Sequence, residues 1–373
     1  MFVIRFGVRN FRNLEEEEIF PCEEVNVIYG GNAQGKTNLL EGIWLFTGGH
    51  SFRGAKDTEL PRLDPETGKN TSGTALELDF FSEERDQSAI LQIENGRRTS
   101  WINDVKKNSG TALVGKVRAV IFSPEHLLLI KEGPNHRRNY VDTALCQINP
   151  GYAALLSNYR KALMQRNALL KEMAKSEKMD DTLDLWNARI VKFGARVMLE
   201  RKDFIENIQG DIQDIYSGIA RGREKIQISY CPSVKECASQ EKIESMFSQE
   251  LERTMASDAR MGFTSVGPHR DDLAISIDGN SARTYGSQGQ QRSAVLAMKL
   301  AEAKALMDFS GEPPIILLDD VMSELDQERQ DYLLNHLQGQ QVFITCCSPE
   351  TVNLMENGMR FRVENGTVFP EEI

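Results

Sequence analysis

The sequence lacks any long apolar run and is poor in aromatic residues, which make up 8% of its 373 residues. A transmembrane helix needs about 18 or more consecutive apolar residues, and no such stretch is found. The first residues, MFVIRFGVRNFRN, carry charges where a signal peptide would have its apolar centre. We therefore expect a cytoplasmic protein with no membrane partner.

Cysteine is scarce, and its spacing does not match the common thiolate metal motifs. No two cysteines have the CxxC spacing that is typical of zinc and redox sites. In a reducing compartment these residues are expected to be free thiols. The cysteines are Cys22, Cys146, Cys231, Cys237, Cys346 and Cys347.

An excess of basic residues is missing as well. The chain has 44 Lys and Arg against 55 Asp and Glu, which gives a formal net charge of −11. Because binding to nucleic-acid phosphates depends on Lys and Arg, any such site must be a local basic face on an acidic body. Aromatic and basic residues are not interleaved as in single-strand binders, which favours backbone contact with duplex DNA. The candidate basic clusters are Arg53 and Lys56, Arg97 and Arg98, Lys106 and Lys107, Arg137 and Arg138, and Arg160 and Lys161.

The length favours two or three domains, or one domain that carries a large insertion. Near the start, EVNVIYGGNAQGKTNLLEGIWLF predicts an apolar strand, a glycine-bearing loop and a helix. Apolar and polar residues then alternate, which predicts β-strands, and an Asn95-Gly96 pair predicts a hairpin turn between two of them. Apolar residues at helical spacing over residues 150–219 predict helices packed on one another. Strands return in PPIILLDDV and QQVFITCC, and Asn365-Gly366 predicts another hairpin, so we expect an α/β fold.

The strand, loop and helix unit contains a motif that is typical of phosphate binding. The pattern G-x-x-x-x-G-K-[ST] is matched by Gly30, Gly31, Asn32, Ala33, Gln34, Gly35, Lys36 and Thr37. Its position after a strand and before a helix is the one that a phosphate-binding loop requires. Glycines let backbone N–H groups turn toward phosphate oxygens, and the helix N terminus adds positive potential. We expect Lys36 to reach the β- and γ-phosphates and Thr37 to hold Mg²⁺.

A second motif lies far downstream, where the apolar residues 315–318 end in Asp319 and Asp320. On its own this is a weak signal, because many buried strands end in a capping Asp. In a chain with a phosphate-binding loop, a metal site is the favoured interpretation. Asp319 would then join the Mg²⁺ shell, and Asp320 would reach an attacking water.

The segment YGSQGQQRSAV, residues 285–295, leads into another helical pattern. Ser287, Gly289 and Gln290 place a hydroxyl and backbone donors at the mouth of that helix, where an anion is favoured. One interpretation is a flexible turn that Ser287 caps. The other is that a second subunit presents this segment to the γ-phosphate of a nucleotide held by Lys36. The order of the motifs along the chain favours the second.

Taken together, these segments resemble the RecF family, bacterial recombination-mediator ATPases of the ABC and SMC-like class. The resemblance covers nearly the whole chain. It implies an ABC-type P-loop ATPase head, with a mixed sheet and a β-rich subdomain, formed by residues 1–120 and 256–373. It also implies an inserted, mainly helical lobe at residues 121–255. The matching segments are NFRNL, GGNAQGKTNLLEGI, HSFRGAKDTEL, FSPEHLLLIKEGPNHRR, YRKALMQRNALL, GPHRDDL, GSQGQQRSAVLAMKLAEAKAL and ILLDDVMSELD.

The same resemblance implies a function for the chain. ATP with Mg²⁺ would draw two copies into a head-to-tail homodimer, with Ser287, Gly289 and Gln290 of one copy facing the γ-phosphate on the other. This dimer would clamp double-stranded DNA at gaps or junctions without sequence specificity, associate with the nucleoid, and act with RecR and RecO in repair and replication-fork restart. Slow, DNA-stimulated ATP hydrolysis would reset it. The residues expected to take part in hydrolysis are Lys36, Ser287, Asp319 and Asp320.

The sequence departs from the pattern of ABC transporters at several positions. Asp320 stands where those proteins usually have Glu, so we expect slow hydrolysis, and Thr345 follows the last apolar strand without a switch histidine. Glu125 is only a weak candidate for the Q-loop glutamine. Arg12 in NFRNL is a candidate nucleotide contact, with a surface ion pair as the equal alternative. A hydrogen-bonded structural role explains His269 at least as well as a role at the nucleotide.

Other classes of P-loop protein fit less well. The main alternative is a transporter nucleotide-binding subunit, but the missing histidine and the large insertion disfavour it. A long-armed SMC ATPase is disfavoured because Thr37 and Asp319 are only 282 residues apart and sustained heptads are missing. A small-molecule kinase would not need S-x-G-Q, and a GTPase should have N-K-x-D, which is not found.

We predict that Lys36→Ala abolishes nucleotide binding, because its ammonium group would supply the main positive charge at the phosphates. Titration with a fluorescent nucleotide measures the effect, with the wild-type chain as the control. If the affinity is unchanged, the glycine-bearing segment is not a phosphate-binding loop.

Overall fold

A computed structural model of the chain describes residues 1–64, 66–71, 73–107, 110–176, 182–235, 239–347 and 358–372. The strands, in chain order, are β1 (Phe2–Phe11), β2 (Leu14–Ile19), β3 (Val25–Tyr29), β4 (Thr74–Ser82), β5 (Arg85–Glu94), β6 (Arg97–Ile102), β7 (Val105–Lys107), β8 (Ala119–Phe122), β9 (Ile226–Cys231), β10 (Asp272–Ile277), β11 (Asn280–Ser281), β12 (Ile315–Asp319), β13 (Val342–Cys346), β14 (Met359–Glu364) and β15 (Thr367–Glu372). The α-helices are α1 (Lys36–Leu45), α2 (Leu128–Lys131), α3 (Pro134–Ile148), α4 (Pro150–Ser176), α5 (Leu183–Ile219), α6 (Gln240–Met261), α7 (Ala282–Tyr285), α8 (Gln288–Ser310) and α9 (Gln327–His336).

The sequence predicts that the cysteines are free thiols, and the structure describes five of the six. Cys237, expected to be a free thiol, lies outside the described residues. Within those residues, the other cysteines form no disulfide.

The central sheet has the strand order β15-β14-β3-β13-β12-β8. Neighbours from β14 to β8 run parallel, and β15 pairs antiparallel with β14. Strands β12 and β13 are buried along their whole length, which explains the continuous apolar runs IILLD and VFITC. Because parallel strands end at one edge of a sheet, the loops that follow β3 and β12 lie at the same edge.

An antiparallel sheet with the order β2-β1-β4-β5-β6-β7 forms the β-rich part of the chain. Asn95 and Gly96 have φ angles of 51° and 71° between β5 and β6, which suits a type I′ turn and confirms the predicted hairpin. One apolar core joins this sheet to α1 and to the central sheet, and it includes Phe6, Leu40 and Phe343. The predicted α/β class, with a β-rich subdomain in the head, is confirmed.

Compactness divides the chain into two units. The head unit comprises Met1–Leu127, Gly218–Arg221 and Arg292–Ile373, and the helical unit comprises Leu128–Ser217 and Gly222–Gln291. The sequence placed the end of the inserted lobe at residue 255, whereas the helical unit extends to Gln291 because β10 pairs with β9 along its length. The lobe was also expected to start at residue 121, but β8 belongs to the central sheet and the helical unit starts at Leu128.

The helical unit contains α3 to α6 and a three-stranded antiparallel sheet in the order β11-β10-β9. The helical pattern of residues 150–219 forms α4 and α5, on either side of residues 177–181, which lie outside the described part of the chain. Helix α5 runs for 37 residues and buries one apolar stripe that includes Ile190, Phe204 and Ile212.

Buried ion pairs connect the helices of this unit. Arg166 of α4 and Asp258 of α6 are fully buried and lie 2.9 Å apart, measured from Nη1 to Oδ2. Arg201 of α5 donates to both carboxylate oxygens of Asp142 in α3, at 2.9 and 3.0 Å. Because a buried charge without its partner is costly, these pairs fix which helices face one another. Among the described residues, no helix has both the length and the apolar character to cross a membrane.

Candidate nucleotide-binding site

The loop between β3 and α1 has a conformation that only glycine adopts easily at two positions. Gly30 and Gly35 have φ angles of 150° and 121°. A Cβ atom on Gly30 would lie 2.3 Å from the carbonyl oxygen of Val363, so a larger residue cannot fit there. The motif's glycines are therefore required by the backbone path of the loop.

The end of this loop presents positive charge and backbone donors. The buried Lys36 side chain donates from Nζ to the carbonyl oxygens of Gly30 and Gly31, at 2.7 Å each. Helix α1 starts at Lys36, and its N-cap, Gly35, makes no side-chain capping bond. The N terminus of a helix without such a cap offers its N–H groups and its positive end to an anion. This geometry suits phosphate.

A hydroxyl and carboxylate network joins the loop to the end of β12. Thr37 donates from Oγ1 to Oδ1 of Asp319 at 2.7 Å, and Thr345 donates to the same oxygen at 2.9 Å. The hydroxyl of Thr345 also accepts from the backbone N–H of Asp320 at 2.9 Å. The two motifs that the sequence separates by 282 residues are thus in direct contact.

The electrostatic state of Asp319 follows from its burial. Desolvation raises the pKa of Asp319, and the hydrogen bonds from Thr37 and Thr345 oppose that rise. Hydroxyl and carboxylate oxygens are hard ligands of the kind that Mg²⁺ prefers, and Mg²⁺ is often held by one carboxylate together with a nucleotide. No group of three or more His, Cys, Asp or Glu side chains that could hold a metal occurs among the described residues.

Asp320 turns away from the buried strand. Its φ of 52° lies in the left-handed region, and its side chain is exposed. Ser323 donates from Oγ to the carbonyl oxygen of Asp320 at 2.9 Å and to its Oδ1 at 3.1 Å. The carboxylate therefore has a fixed backbone and an open side, as a residue that contacts water would need.

Arg12 has a structural partner beside the loop. Its Nε and Nη2 donate to the two carboxylate oxygens of Glu41 in α1, each at 2.8 Å, and Nη1 donates to the carbonyl oxygen of Glu59 at 3.1 Å. Glu41 is fully buried and also accepts a short hydrogen bond from Ser51. Of the two expectations for Arg12, these contacts support an ion pair, although the carboxylate is buried and not on the surface.

Arg53 lies beside the first turn of α1, although the sequence indicated only a DNA-facing cluster. Its Nη1 donates to Oδ1 of Asn38, in the first turn of α1, at 3.0 Å. Its charge also lowers the pKa of Asp319. The sequence around Arg53, HSFRG, could not predict this contact, because it forms only when the segment after α1 folds back onto the helix.

Ser287 and Gln290 form reciprocal hydrogen bonds at the start of α8, in the helical unit. Ser287 Oγ accepts from the backbone N–H of Gln290 at 3.2 Å, and Gln290 Oε1 accepts from the N–H of Ser287 at 2.8 Å. Gln290 also donates from Nε2 to Glu224 at 2.9 Å. The capped turn foreseen by one interpretation is present, and the Ser287 side chain is exposed. Gly289 lies in the same turn of the helix.

Two basic candidates for a DNA-facing surface have buried side chains. Arg98 donates to both carboxylate oxygens of Asp57, at 2.9 and 2.6 Å, and its side chain is 7% exposed. Arg137 pairs with Asp272 in the same manner and is 6% exposed. These two assignments were wrong, because each guanidinium neutralises a carboxylate inside its own unit. The exposed members of the predicted clusters are Arg53, Lys56, Arg97, Lys106, Lys107, Arg160 and Lys161.

Two histidines have structural partners. His269 contacts the Tyr159 hydroxyl at Nδ1, at 2.6 Å, and the carbonyl oxygen of Thr264 at Nε2, at 3.0 Å, while burial lowers the pKa of His269 to about 4. It is therefore neutral near pH 7, and its two hydrogen bonds are those of the structural alternative. His126 Nδ1 accepts from the backbone N–H of Ser123 at 2.9 Å.

Comparison with known proteins places these features in context. The chain matches the family model described as the RecF/RecN/SMC N terminal domain over residues 2–368. It is 37% identical to the DNA replication and repair protein RecF of Acetivibrio thermocellus over 99% of this chain and 100% of that relative.

Solved structures extend the comparison. A structure described as the recombination mediator protein RecF-ATP in the RecFOR pathway has a TM-score of 0.91 and 36% identity, covering 99% of this chain and 97% of that one. An Smc head domain from Pyrococcus furiosus was solved with an extended coiled coil and bound to the C-terminal domain of ScpA. Its TM-score is 0.56 at 13% identity, and the match covers 100% of this chain and 96% of that one. The two proteins share the fold.

We predict that Arg12→Ala lowers the free energy of unfolding by about 3–5 kcal/mol, because Glu41 would remain buried without its partner. Urea denaturation measures this loss. Arg85→Ala, which breaks an exposed pair with Glu83, is the matched control and should cost less than about 1 kcal/mol. A loss of nucleotide affinity with unchanged stability would instead identify Arg12 as a nucleotide ligand.

Proposed function

The chain belongs to the RecF family of DNA replication and repair proteins, and from this premise we propose that it is an ATP-dependent clamp on double-stranded DNA. It would act in recombinational repair and replication-fork restart. The relative described as RecF-ATP supports ATP as the nucleotide, and the name of its pathway, RecFOR, supports RecR and RecO as partners. ATP binding would join two copies into a homodimer, and slow hydrolysis would separate them.

The observation that carries the proposal is the contact between Thr37 and Asp319. A phosphate-binding loop can serve many reactions, but a hydroxyl and a carboxylate held 2.7 Å apart at its end suit a nucleotide that carries Mg²⁺. Thr37 and Asp319 would hold the ion, which would neutralise charge on the phosphates. The strands that bring these residues together are those of an ATPase head.

The residues of the loop would hold the nucleotide through its phosphates. Lys36 would exchange its bonds to the Gly30 and Gly31 carbonyl oxygens for bonds to phosphate oxygens. The N–H groups at the start of α1 would add donors that need little rearrangement. Arg53, which lies beside Asn38, would add a second positive charge on the same side as Asp319.

Hydrolysis would depend on Asp320. Its exposed carboxylate, held by Ser323 and by its own backbone, would orient a water molecule for attack on the γ-phosphate. Asp is a methylene shorter than the Glu of ABC transporters, so the water would be held less closely and turnover would be slow. A slow reaction suits a switch that resets the dimer and performs no work on a substrate.

Dimerisation would use the segment around Ser287. Its exposed hydroxyl, the N–H groups that follow and the Gln290 amide form a small polar surface at the start of α8. In a head-to-tail dimer, Ser287, Gly289 and Gln290 of one copy would contact the γ-phosphate held by Lys36 of the other. ATP would therefore be part of the interface, and its loss would open the clamp.

DNA binding would rely on the exposed basic residues, since the buried side chains of Arg98 and Arg137 are committed to ion pairs with Asp57 and Asp272. With a formal net charge of −11, the chain would bind the duplex weakly as a monomer. Two copies joined by ATP would double the number of phosphate contacts. This arrangement would make DNA affinity depend on nucleotide and on ionic strength.

The alternative function, a transporter nucleotide-binding subunit, is disfavoured by the contacts of Thr345. In that class a histidine after this strand contacts the γ-phosphate. Here Thr345 donates to Asp319 and accepts from the Asp320 backbone, so it supports the carboxylates. A transporter subunit would also be indifferent to DNA, which the experiments below test.

We predict that ATP doubles the solution mass of the wild type and that Ser287→Arg stays monomeric while still binding ATP. The bulky cation would block the surface that faces the second nucleotide. Light scattering with no nucleotide, with ATP, and with ATP and a short duplex measures the mass. Ser281→Arg, at an exposed position before α7, is the matched control and should dimerise. If both the wild type and Ser287→Arg remain monomeric with duplex present, the dimer mechanism is wrong.

We predict that Asp320→Asn binds ATP like the wild type but hydrolyses it at least tenfold more slowly, because the amide orients water less effectively. Phosphate release, measured with and without duplex, also tests whether DNA stimulates the reaction. Asp326→Asn, which alters the cap of α9, serves as the control. Normal turnover by Asp320→Asn would remove this residue from the mechanism.

A further inference from the structure

Two hairpin turns meet the phosphate-binding loop at Gln34. The backbone N–H of Gly366, between β14 and β15, donates to the carbonyl oxygen of Gln34 at 3.0 Å. Asn13, between β1 and β2, donates from Nδ2 to the same oxygen at 2.9 Å. The side chain of Gln34 accepts a further bond at Oε1, from the backbone N–H of Asn365 at 2.5 Å. Elements from both ends of the chain therefore converge on one residue of the loop.

The fit at this junction is too close for side chains. A Cβ atom on Gly35 would lie 2.8 Å from Oδ1 of Asn13, and one on Gly366 would lie 2.5 Å from the carbonyl oxygen of Asn13. The φ angles of Gly35 and Gly366 are 121° and 83°, so both glycines are also needed for their backbone conformation. The loop and the two turns therefore leave no room for a side chain at either glycine.

The direction of the hydrogen bonds at Asn13 is determined by an arginine. A guanidinium can only donate, so the bond from Arg53 assigns Oδ1 of Asn38 as its acceptor, at 3.0 Å. Asn38 then donates from Nδ2 to Oδ1 of Asn13, at 2.7 Å. Asn13 is left with its Nδ2 to donate to Gln34. The relay has one consistent orientation, from Arg53 to the carbonyl oxygen of Gln34.

The consequence for the loop follows from the planarity of the peptide bond. In a trans peptide, the carbonyl oxygen of one residue and the N–H of the next point in opposite directions. Because two donors hold the carbonyl oxygen of Gln34 toward the hairpins, the N–H of Gly35 is turned away from them. Backbone donors set in this manner are what a phosphate-binding loop uses.

We propose that Asn13 is a positioning residue for the nucleotide: by holding the carbonyl oxygen of Gln34, it keeps the N–H of Gly35 directed at the phosphates. Asn13 itself touches no phosphate in this account. The inference rests on the proposed function, since it assumes that the loop binds a nucleotide. It adds that the affinity is set partly by a hairpin outside the loop.

The test is Asn13→Ala in the full-length chain. Asn13 is exposed, so the substitution should leave the melting temperature unchanged in the absence of nucleotide. Without its donor, the Gln34–Gly35 peptide is less well held, and we expect the dissociation constant for Mg-ATP to rise about five- to tenfold, the size expected for one hydrogen bond to a key group. The KM for ATP should rise by the same factor with kcat unchanged, because the contact is equal in the ground and transition states.

Two further variants separate this account from simpler ones. Asn38→Ala frees Arg53 and removes the donor to Oδ1 of Asn13 but leaves the bond from Asn13 to Gln34, so it should weaken ATP binding less than Asn13→Ala does. If it weakens binding as much as Asn13→Ala, the effect passes through Arg53 and the proposal fails. Asn103→Ala removes a side-chain bond to Ser88 at another hairpin turn of the same sheet and should bind ATP like the wild type.

Failure of the inference and failure of the proposed function give different results. If Asn13→Ala binds ATP like the wild type while Lys36→Ala does not bind it, the loop is a nucleotide site and Asn13 plays no part in positioning it. If Lys36→Ala also binds ATP like the wild type, the proposed function itself is wrong. A fall in melting temperature that accounts for the whole loss of binding by Asn13→Ala would assign Asn13 a purely structural role.

Discussion

The register of three parallel strands is the constraint on which the site depends. Asp319 on β12 lies beside Thr345 on β13, and Thr345 lies beside Ile28 on β3, just before the phosphate-binding loop. A shift of one residue would turn Asp319 to the opposite face of the sheet and remove its carboxylate from Thr37. The continuous burial of β12 and β13 opposes such a shift, because it would change the packing of both faces. The apolar residues of the sheet therefore position the polar residues at its edge.

One carboxylate oxygen of Asp319 connects the phosphate-binding loop to the ends of β12 and β13. Oδ1 of Asp319 accepts from two threonines, and Thr345 in turn holds the backbone of Asp320. ABC transporters have a switch histidine after this strand. In this chain Thr345 instead holds the Asp319 carboxylate and the Asp320 backbone. Loss of the Thr345 hydroxyl would thus disturb the Asp319 carboxylate and the Asp320 backbone together.

Local patterns allowed much of the fold, and the loop and strand that carry Lys36 and Asp319, to be predicted. The glycine spacing before Lys36, the apolar strand before Asp319 and the Asn95-Gly96 turn are all fixed by neighbours in the chain, and the structure contains each element. The partners of arginines could not be predicted, because they come from distant segments: Arg98 finds Asp57, and Arg12 finds Glu41. The sequence placed the end of the helical unit too early for the same reason, because the pairing of β10 with β9 cannot be read from the residues of either strand alone.

The order of strands in the central sheet also affects how the chain folds during synthesis. Strand β3 is made early, but its two neighbours, β13 and β14, come from the far end of the sequence. The helical unit comprises Leu128–Ser217 and Gly222–Gln291, a nearly continuous region of the chain, and a compact unit of this kind can fold once its residues have left the ribosome. The nucleotide site is therefore the last part of the molecule to be completed. Until β13 and β14 are made, β3 has neither of its neighbours in the central sheet.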